Sequence, residues 1–577
     1  MINIKSTLSI MILWPALIIG IIGLLSFPVQ GQTYTSTLHG TSANRSAVEA
    51  TFPYTTNGLC AHCHDQHASI AGAEPTLPSA QGPSYYSLFQ DNYGSATNDL
   101  CYACHDTFTI SGMTLEYGRY GIYQGSTKYN SSIHSTSASM DWSPDSSPPG
   151  PPFGPNSTLT DPGNCHNCHN PHGYDDGSGL VPHMLFARDS QTSDSPAYEM
   201  GCEACHDGSQ GGAFKDVQAQ LNKTYAHPTH TYNDRHTLPE NGTSFETRHA
   251  ECVDCHNPHT VLSGTHTAQT DGNAVSNALK YVWGVEPIWP SRWTKPVTFT
   301  ERKPSTYNDG AQYEYQICFK CHSNYGLGTV TNGKSTITGP SGTIITDQAW
   351  EFNTNNRSAH PVVAGTNSYS GAMTSSQMSS PWTTSLGTQT MYCSDCHGAN
   401  DEHSTGAKGP HGSSTAFMLK DATNGSNVYW PASSSGTLFS LNDVRDNQNN
   451  WSTQLFCVNC HPLRVGGNWV NDNEAHKEHE RREYEPDGNT REDVYCVACH
   501  SAIPHGSRIS KLIAYGYNGG YGVDTAPWVY TSGGVIYNVI KGFKVASGGP
   551  DDYDEKDCYS TANRCDEHDR DEGGYDN

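Results

Sequence analysis

The chain has 577 residues, a mean hydropathy of −0.61 and a formal net charge of −25. This acidic balance argues against nucleic acid as a partner, because nucleic acid attracts basic patches. Glycine (56 residues) and proline (33 residues) are abundant and long apolar periodic runs are few. Such a chain is not expected to offset its ordering entropy with a conventional apolar core.

Residues 1–31 are predicted to form a secretory signal peptide. Lys5 precedes an apolar run at residues 8–27, and small residues then favour cleavage before Gln32. The run is also just long enough to span a bilayer, so an uncleaved anchor is the alternative. We therefore expect a secreted protein, extracellular or at the cell surface, with a periplasmic location as the alternative.

The dominant repeat of the mature chain is C-x-x-C-H, the attachment signature of c-type haem, and it occurs nine times. In each copy two thiols add to the porphyrin, and the histidine that follows binds the iron from one side. The cysteine pairs are Cys60 and Cys63, Cys101 and Cys104, Cys165 and Cys168, Cys202 and Cys205, Cys252 and Cys255, Cys318 and Cys321, Cys393 and Cys396, Cys457 and Cys460, and Cys496 and Cys499. The motif histidines are His64, His105, His169, His206, His256, His322, His397, His461 and His500.

Zinc sites and disulfide scaffolds also use C-x-x-C pairs, but neither requires histidine at the next position. Histidine supplies only 29 of the 577 residues, so its presence after all nine pairs favours haem. The predicted cofactors are therefore nine covalently attached haem c groups with their iron. Cys558 and Cys565, outside the motifs, are expected to form a local disulfide in an oxidising compartment, with free thiols as the alternative.

The predicted fold is mostly irregular coil, with short helices and a few β-hairpins wrapped around a chain of nine covalently bound haems. The macrocycles would supply the apolar core, and several helices should begin at or near a motif. Residues 326–347 carry an Asn-Gly turn between β-forming segments and are predicted to form a hairpin. Residues 526–545 are predicted to form a second hairpin that turns at Gly533 and Gly534.

Motif pairs suggest a division of the mature chain into haem units. The predicted units are residues 32–126 for haems 1 and 2, 127–222 for haems 3 and 4, 223–335 for haems 5 and 6, 336–470 for haems 7 and 8, and 471–577 for haem 9. The last is a half unit that also holds the second hairpin and an acidic tail.

Further histidines are candidates for the second axial position of each iron. In CHNCHNPHG (165–173) and CVDCHNPH (252–259), a histidine stands three residues after the motif histidine. It cannot circle to the other face of its own ring, so it should bind a different iron. The resulting rule is that an upstream histidine caps the first haem of a unit and the histidine after its motif caps the second.

The rule gives one distal ligand to each haem. In order from haem 1 to haem 9 these are His39, His67, His134, His172, His227, His259, His360, His411 and His476. Three histidines could each replace His227, namely His230, His236 and His249, and His479 competes with His476.

His505 is one ligand more than nine irons need, because no tenth motif follows it. One interpretation is that His505 caps a haem of its own chain and frees His476 or another histidine. The other is that His505, or His39 at the opposite end, binds iron in a neighbouring subunit. A head-to-tail contact of that kind would build an open filament.

Paired C-x-x-C-H motifs with an upstream H-P and a following N-P-H or P-H-G resemble the doubled C-x-x-C-H multihaem cytochromes c. The resemblance covers nearly the whole mature chain, and it departs from the pattern at His67, which follows Asp-Gln, and at His411, which lies farther downstream. In organisation the chain is also similar to the extracellular multihaem cytochromes that polymerise into filaments (cytochrome nanowires) in metal-respiring microbes. That resemblance implies a continuous haem stack, self-assembly into a homopolymer, and redox partner proteins or extracellular electron acceptors.

Two axial imidazoles leave an iron with no open site for a substrate, so the chain is expected to be an electron-transfer protein and not an enzyme. The predicted function is electron conduction outside the cell, with a discrete periplasmic carrier as an alternative within the same class. A multihaem reductase of the nitrite, hydroxylamine or tetrathionate type is the alternative from another class. It would need one iron with an open distal position, which several resembling families mark by C-x-x-C-K, whereas all nine motifs here end in histidine.

Overall fold

A computed structural model describes the chain at residues 101, 126–136, 165, 168–169, 172–173, 202–203, 206–208, 215–229, 250–263, 272–304, 310–327, 336–338, 344–369, 373–402, 407–441, 454–465, 468–469, 476, 494–507, 510–514, 531–532 and 535–536. Several predictions lie outside these residues: the signal peptide, the Cys558–Cys565 disulfide, the acidic tail, and the sites at Cys60, Cys63, Cys104, Cys205, His39, His64, His67 and His105. Where the structure describes the chain, no helix is long and apolar enough to cross a membrane.

The chain divides into two compact units. The first comprises residues 1–114, 124–130 and 134–193, and the second comprises residues 115–123, 131–133 and 194–577. Most of the described residues belong to the second unit, which holds the fourth to ninth C-x-x-C-H motifs.

The helices are short. The α-helices are α1 (Ser126–Tyr129), α2 (Ile133–Thr136), α3 (Gln218–Leu221), α4 (Cys252–Cys255), α5 (Glu314–Cys318), α6 (Asn324–Leu327), α7 (Gln348–Glu351) and α8 (Cys496–Cys499). The 3-10 turns are Asn277–Leu279, Thr366–Ser368, Ser375–Gln377, Cys393–Asp395, Ala416–Met418, Phe456–Asn459 and Ser510–Leu512.

The fifth to ninth motifs each form or adjoin one helical turn, which confirms the prediction of short helices at these motifs. In the fifth motif, the amide of His256 donates to the carbonyl of Cys252 at 2.9 Å. The four later motifs repeat this bond at 2.8–3.0 Å. It is the i to i−4 bond of an α-helix, so the turn holds both cysteines and the histidine in a fixed relation.

The strands form six two-stranded antiparallel sheets in the described parts of the chain. The strands are β1 (Tyr225–Ala226), β2 (Gly284–Pro287), β3 (Phe299–Arg302), β4 (Thr336–Thr338), β5 (Ile344–Thr346), β6 (Ser358–Ala359), β7 (Gly412–Ser413), β8 (Arg464–Val465), β9 (Asn468–Trp469), β10 (Gly506–Ser507), β11 (Thr531–Ser532) and β12 (Val535–Ile536). Sheets β2–β3, β4–β5, β8–β9 and β11–β12 are local hairpins, whereas β1–β7 and β6–β10 join segments far apart in sequence.

Both predicted hairpins are present. Ser532 pairs with Val535, which is the pairing expected for the predicted hairpin. In the other hairpin Ile337 pairs with Ile345, so the Asn-Gly pair at residues 332–333 precedes β4 in the sequence and does not separate the two strands. The β-branched runs STIT and TIIT flank the Gly-Pro-Ser-Gly segment directly, and their pairing determines the register.

The apolar clusters of the second unit pack against motif cysteines. The largest is built around Trp283, Val285 and Phe319, and Cys321, Cys393, Cys396 and Cys460 lie against it. A second cluster contains Phe439, Leu441 and Leu455, with Cys457 and Cys496 at its edge. The polypeptide therefore places its apolar side chains where the motifs converge.

Candidate functional site

Five motif histidines each face the ring of a histidine that lies outside the motifs. The pairs and their ring-centre distances are His256–His411 at 6.0 Å, His227–His322 at 6.1 Å, His397–His505 at 6.0 Å, His360–His461 at 6.3 Å and His476–His500 at 6.2 Å. Two imidazoles bound to opposite sides of one metal through bonds of roughly 2 Å have ring centres about 6 Å apart. The spacing of all five pairs therefore fits one iron between the rings.

Burial keeps two of the paired rings, those of His322 and His411, in the neutral form that a metal needs. Burial, together with the nearby His227, His397 and His505, lowers the pKa of His322 to about 3. Burial likewise lowers the pKa of His411 to about 3. These two rings are therefore neutral at pH 7, and neutral imidazole is the form that binds metal ions.

Backbone carbonyls orient several of these rings. His256 Nδ1 donates to the carbonyl of Ala278 at 3.0 Å, and His397 Nδ1 donates to the carbonyl of Phe417 at 2.7 Å. A carbonyl only accepts hydrogen bonds, so Nδ1 carries the proton and Nε2 is the nitrogen that can bind a metal. This is the usual support for a metal-binding histidine.

Two short antiparallel bridges carry four of the non-motif histidines. In the first histidine bridge (residues 225–228 with 410–413), the amide of His227 donates to the carbonyl of His411 at 3.2 Å. In the second histidine bridge (residues 358–361 with 504–507), the amide of His360 donates to the carbonyl of His505 at 2.9 Å. Each bridge pairs an A-H-P segment with a P-H-G-S segment, so both have the same local sequence and the same bond.

The proline of P-H-G also takes part in each bridge. His227 Nδ1 donates to the carbonyl of Pro410 at 2.6 Å, and His360 Nδ1 donates to the carbonyl of Pro504 at 2.5 Å. The downstream segment therefore orients the upstream histidine of the same bridge, which couples the two histidines structurally.

The glycine of P-H-G is required by close approach. A Cβ on Gly412 would lie 2.0 Å from the carbonyl oxygen of Gln220, and one on Gly506 would lie 1.7 Å from that of Glu351. No side chain fits at these distances, so the residue after each downstream histidine must be glycine.

The structure pairs the rings differently from the sequence rule at four positions. His227 faces His322 and not His256, and His411 faces His256 and not His461. His360 faces His461 and not His397. The ring opposite His322 is that of His227, where the rule had placed His259.

The bridges explain this crossing. Each bridge holds two histidines next to each other, and their rings face the histidines of two different motifs. The upstream histidine of a bridge faces the second motif of its unit, not the first. The rule considered each histidine separately and assigned it to the next motif along the chain. His476 faces His500, the pair that the rule predicted. His505 faces His397 of its own chain, which agrees with the first of the two interpretations of this residue.

Motifs that follow one another in sequence are neighbours in space. Cys318 of the sixth motif and Cys393 of the seventh lie with Glu314 in one cluster whose ligand atoms are all within 4.8 Å of each other. The Glu314 carboxylate accepts bonds from the amide and hydroxyl of Ser394 at 2.8 and 2.7 Å. Glu314 therefore connects the sixth motif to the seventh through hydrogen bonds. These bonds explain why the three residues lie together, without a metal ion between them.

Two further cysteine contacts bring consecutive motifs together. Burial, with a further contribution from Cys460 of the eighth motif, raises the pKa of Cys396 in the seventh. In the first unit, a thiol hydrogen bond with Cys101 and then burial raise the pKa of Cys165, which links the second and third motifs. The second and third motifs, the sixth and seventh motifs, and the seventh and eighth motifs are therefore neighbours in space, which the sequence alone did not reveal.

Two buried charged residues near the motifs were not predicted from the sequence. Lys320, inside the sixth motif, donates to the backbone carbonyl of Asp254 in the fifth and lies 5.1 Å from the ring centre of Trp283. Glu351 accepts a bond from His505 Nδ1 at 2.6 Å and is 1% exposed. The position of Lys320 inside C-F-K-C was a usable signal, whereas nothing in the sequence marks Glu351.

Five other predicted ligands lie among the described residues and are partly buried: His134, His169, His172, His206 and His259. The thiols and the opposed imidazoles are the residue types that could attach a porphyrin and bind its iron. Comparison with protein-family models, curated proteins and solved structures finds no match to this chain.

Proposed function

We propose that the chain is a nonahaem c-type cytochrome that conducts electrons by haem-to-haem transfer outside the cell. The observation that carries the proposal is the set of five histidine pairs about 6 Å apart. Every pair joins one motif histidine to one histidine outside the motifs. Chance contacts between histidines would not select one partner of each kind five times.

Haem with two axial imidazoles passes single electrons and offers no open iron position to a substrate. The residues of the chain attach, orient and enclose that group. The cysteines would anchor each porphyrin, the motif histidine would bind the iron from one side, and a histidine outside the motifs would bind it from the other. The apolar clusters around Trp283 and Leu455 pack against motif cysteines and would shield the attached groups from water.

The crossed pairing also gives a revised ligand assignment for the first two haems. By chain order alone, an upstream histidine goes to the second motif of its unit, and a downstream P-H histidine goes to the first motif of the unit before. The proposed pairs are therefore His39 with His105 and His172 with His64.

The proposal favours an electron carrier over a reductase of nitrite, hydroxylamine or tetrathionate. Five of the nine motif histidines have a second imidazole about 6 Å away, which supports two axial ligands and not an open iron position. Polymerisation into a filament is proposed from the resemblance in organisation, with self-association and redox partners as its consequences. A discrete periplasmic carrier is the alternative.

Carbon monoxide binding tests the proposal. The reduced wild-type protein should form no rapid adduct, because every iron has two imidazole ligands. Replacing His227 with Ala should create one reactive iron, and replacing His249 with Ala should create none. Rapid adduct formation in the wild-type protein at one haem in nine would favour the reductase.

A further inference from the structure

The two histidine bridges are alike except at the Nδ1 atom of their downstream histidines. In the first bridge, His411 Nδ1 is buried and has no hydrogen-bond partner among the described residues. In the second bridge, His505 Nδ1 lies 2.6 Å from Glu351 Oε2. His411 and His505 occupy equivalent positions in P-H-G-S segments, so this difference is specific to the second bridge.

Glu351 is held in place by its surroundings. It is the last residue of α7, whose N-cap Asp347 accepts a bond from the amide of Trp350. Its own backbone carbonyl accepts a bond from Asn356 Nδ2 at 2.9 Å and lies against Gly506. The carboxylate is 1% exposed, so it has little water to solvate it, and it is fixed against the imidazole.

We propose that Glu351 is a positioning residue that lowers the reduction potential of the seventh haem relative to the fifth. This inference rests on the proposed function, because it requires haem iron between His397 and His505. The Glu351 carboxylate accepts a hydrogen bond from the Nδ1–H group of His505, so Nε2 is the nitrogen left to bind a metal. A strong acceptor at Nδ1 makes the imidazole a better electron donor to its metal.

The direction follows from charge. Ferric haem carries one more positive charge than ferrous haem, so a nearby fixed anion stabilises the ferric form more. The interaction is large because Glu351 is buried in a low-dielectric setting. The fifth haem, with His411 as its distal ligand, has no such group at Nδ1, so its potential should be higher. The fifth haem would then be reduced more readily than the seventh.

Replacing Glu351 with Gln tests the inference, because glutamine can still accept from Nδ1 but carries no charge. We expect one of the nine titrating haems to shift toward easier reduction, with the ferric-to-ferrous ratio at fixed potential falling about tenfold, which is 59 mV for one electron. The low-spin EPR signal of that haem should also move to new g values. Haem content and carbon monoxide reactivity should stay unchanged.

The matched control is Glu314→Gln. Glu314 is also a buried carboxylate near the seventh motif, but it binds Ser394 and not a ligand histidine. Its loss should leave the EPR signal of the Glu351-dependent haem in place. An equal change of that signal in both variants would show a general electrostatic effect and overturn the assigned role.

Glu351→Asp keeps the charge and shortens the side chain, so it provides a second test if the Gln variant does not accumulate. We expect the same haem to shift in the same direction by a smaller amount. If both variants carry nine haems and no haem changes its reduction potential, the inference is overturned and the proposed function is left intact. A chain without haem would overturn the proposed function itself.

Discussion

His360 and His505 lie opposite each other on one antiparallel bridge, and the amide of His360 donates to the carbonyl of His505 at 2.9 Å. Their rings nevertheless face different motif histidines, His461 and His397 respectively. One backbone contact therefore positions candidate ligands for two neighbouring haems. Because the first bridge repeats the arrangement with His227 and His411, loss of either bridge should affect two haems together.

The crossed pairing predicts which haem each bridge histidine serves. In a background that lacks the fifth haem, made by Cys252→Ser and Cys255→Ser, His411→Ala should add no high-spin iron, because its proposed iron is already absent. In the same background His227→Ala should add one high-spin iron, from the sixth haem. EPR spin counting measures both. The reverse result would support the order predicted from the sequence.

Gly412 provides a test of the first bridge as a unit. Its substitution by Ala should displace the strand from Gln220, because the new Cβ would meet that carbonyl oxygen at 2.0 Å. We expect two irons to lose low-spin character together and the free energy of unfolding to fall by about 3 kcal/mol. Gly425→Ala is the control, since its Cβ would meet nothing within 4 Å although φ is +80°. That variant should lose only about 1–2 kcal/mol and keep its spectrum.

Much of the local structure was predictable because it depends on contacts between near neighbours in sequence. The turns at the motifs follow from the C-x-x-C-H spacing, and the Gly533–Gly534 hairpin follows from its turn residues. The crossed pairing was not predictable, because it depends on bonds between His227 and His411, which are far apart in sequence. Glu351 was missed for the same reason, since 154 residues separate it from His505.

His505 should act within its own chain. Replacing it with Ala should produce one high-spin iron in the monomeric protein, because the ring faces His397 at 6.0 Å. If filaments form, the variant should still assemble at the wild-type protein concentration, as seen by electron microscopy. Loss of filaments with a fully low-spin monomer would instead indicate that His505 binds iron in a neighbouring subunit.

Asp347 should make stability depend on pH. Burial raises the pKa of this carboxyl to about 7, although the bond from Trp350 opposes the shift. The folded state therefore holds a proton that the unfolded state releases near pH 4. Stability from this group is complete below that pH and is lost as pH rises toward 7, by on the order of 4 kcal/mol. Urea unfolding of the wild-type protein and of Asp347→Asn should show a smaller decrease over this range in the variant, and equal slopes would contradict the prediction.

Haem content per chain tests the central claim most directly. Alkaline pyridine haemochrome spectra, calibrated against protein mass from amino-acid analysis, should give nine covalently bound haems in the exported protein. Metal analysis of the same sample should find iron in the same ratio and no stoichiometric zinc. A chain that contains zinc and no haem would contradict the account, because the opposed histidines and the motif cysteines would then belong to a different kind of metal site.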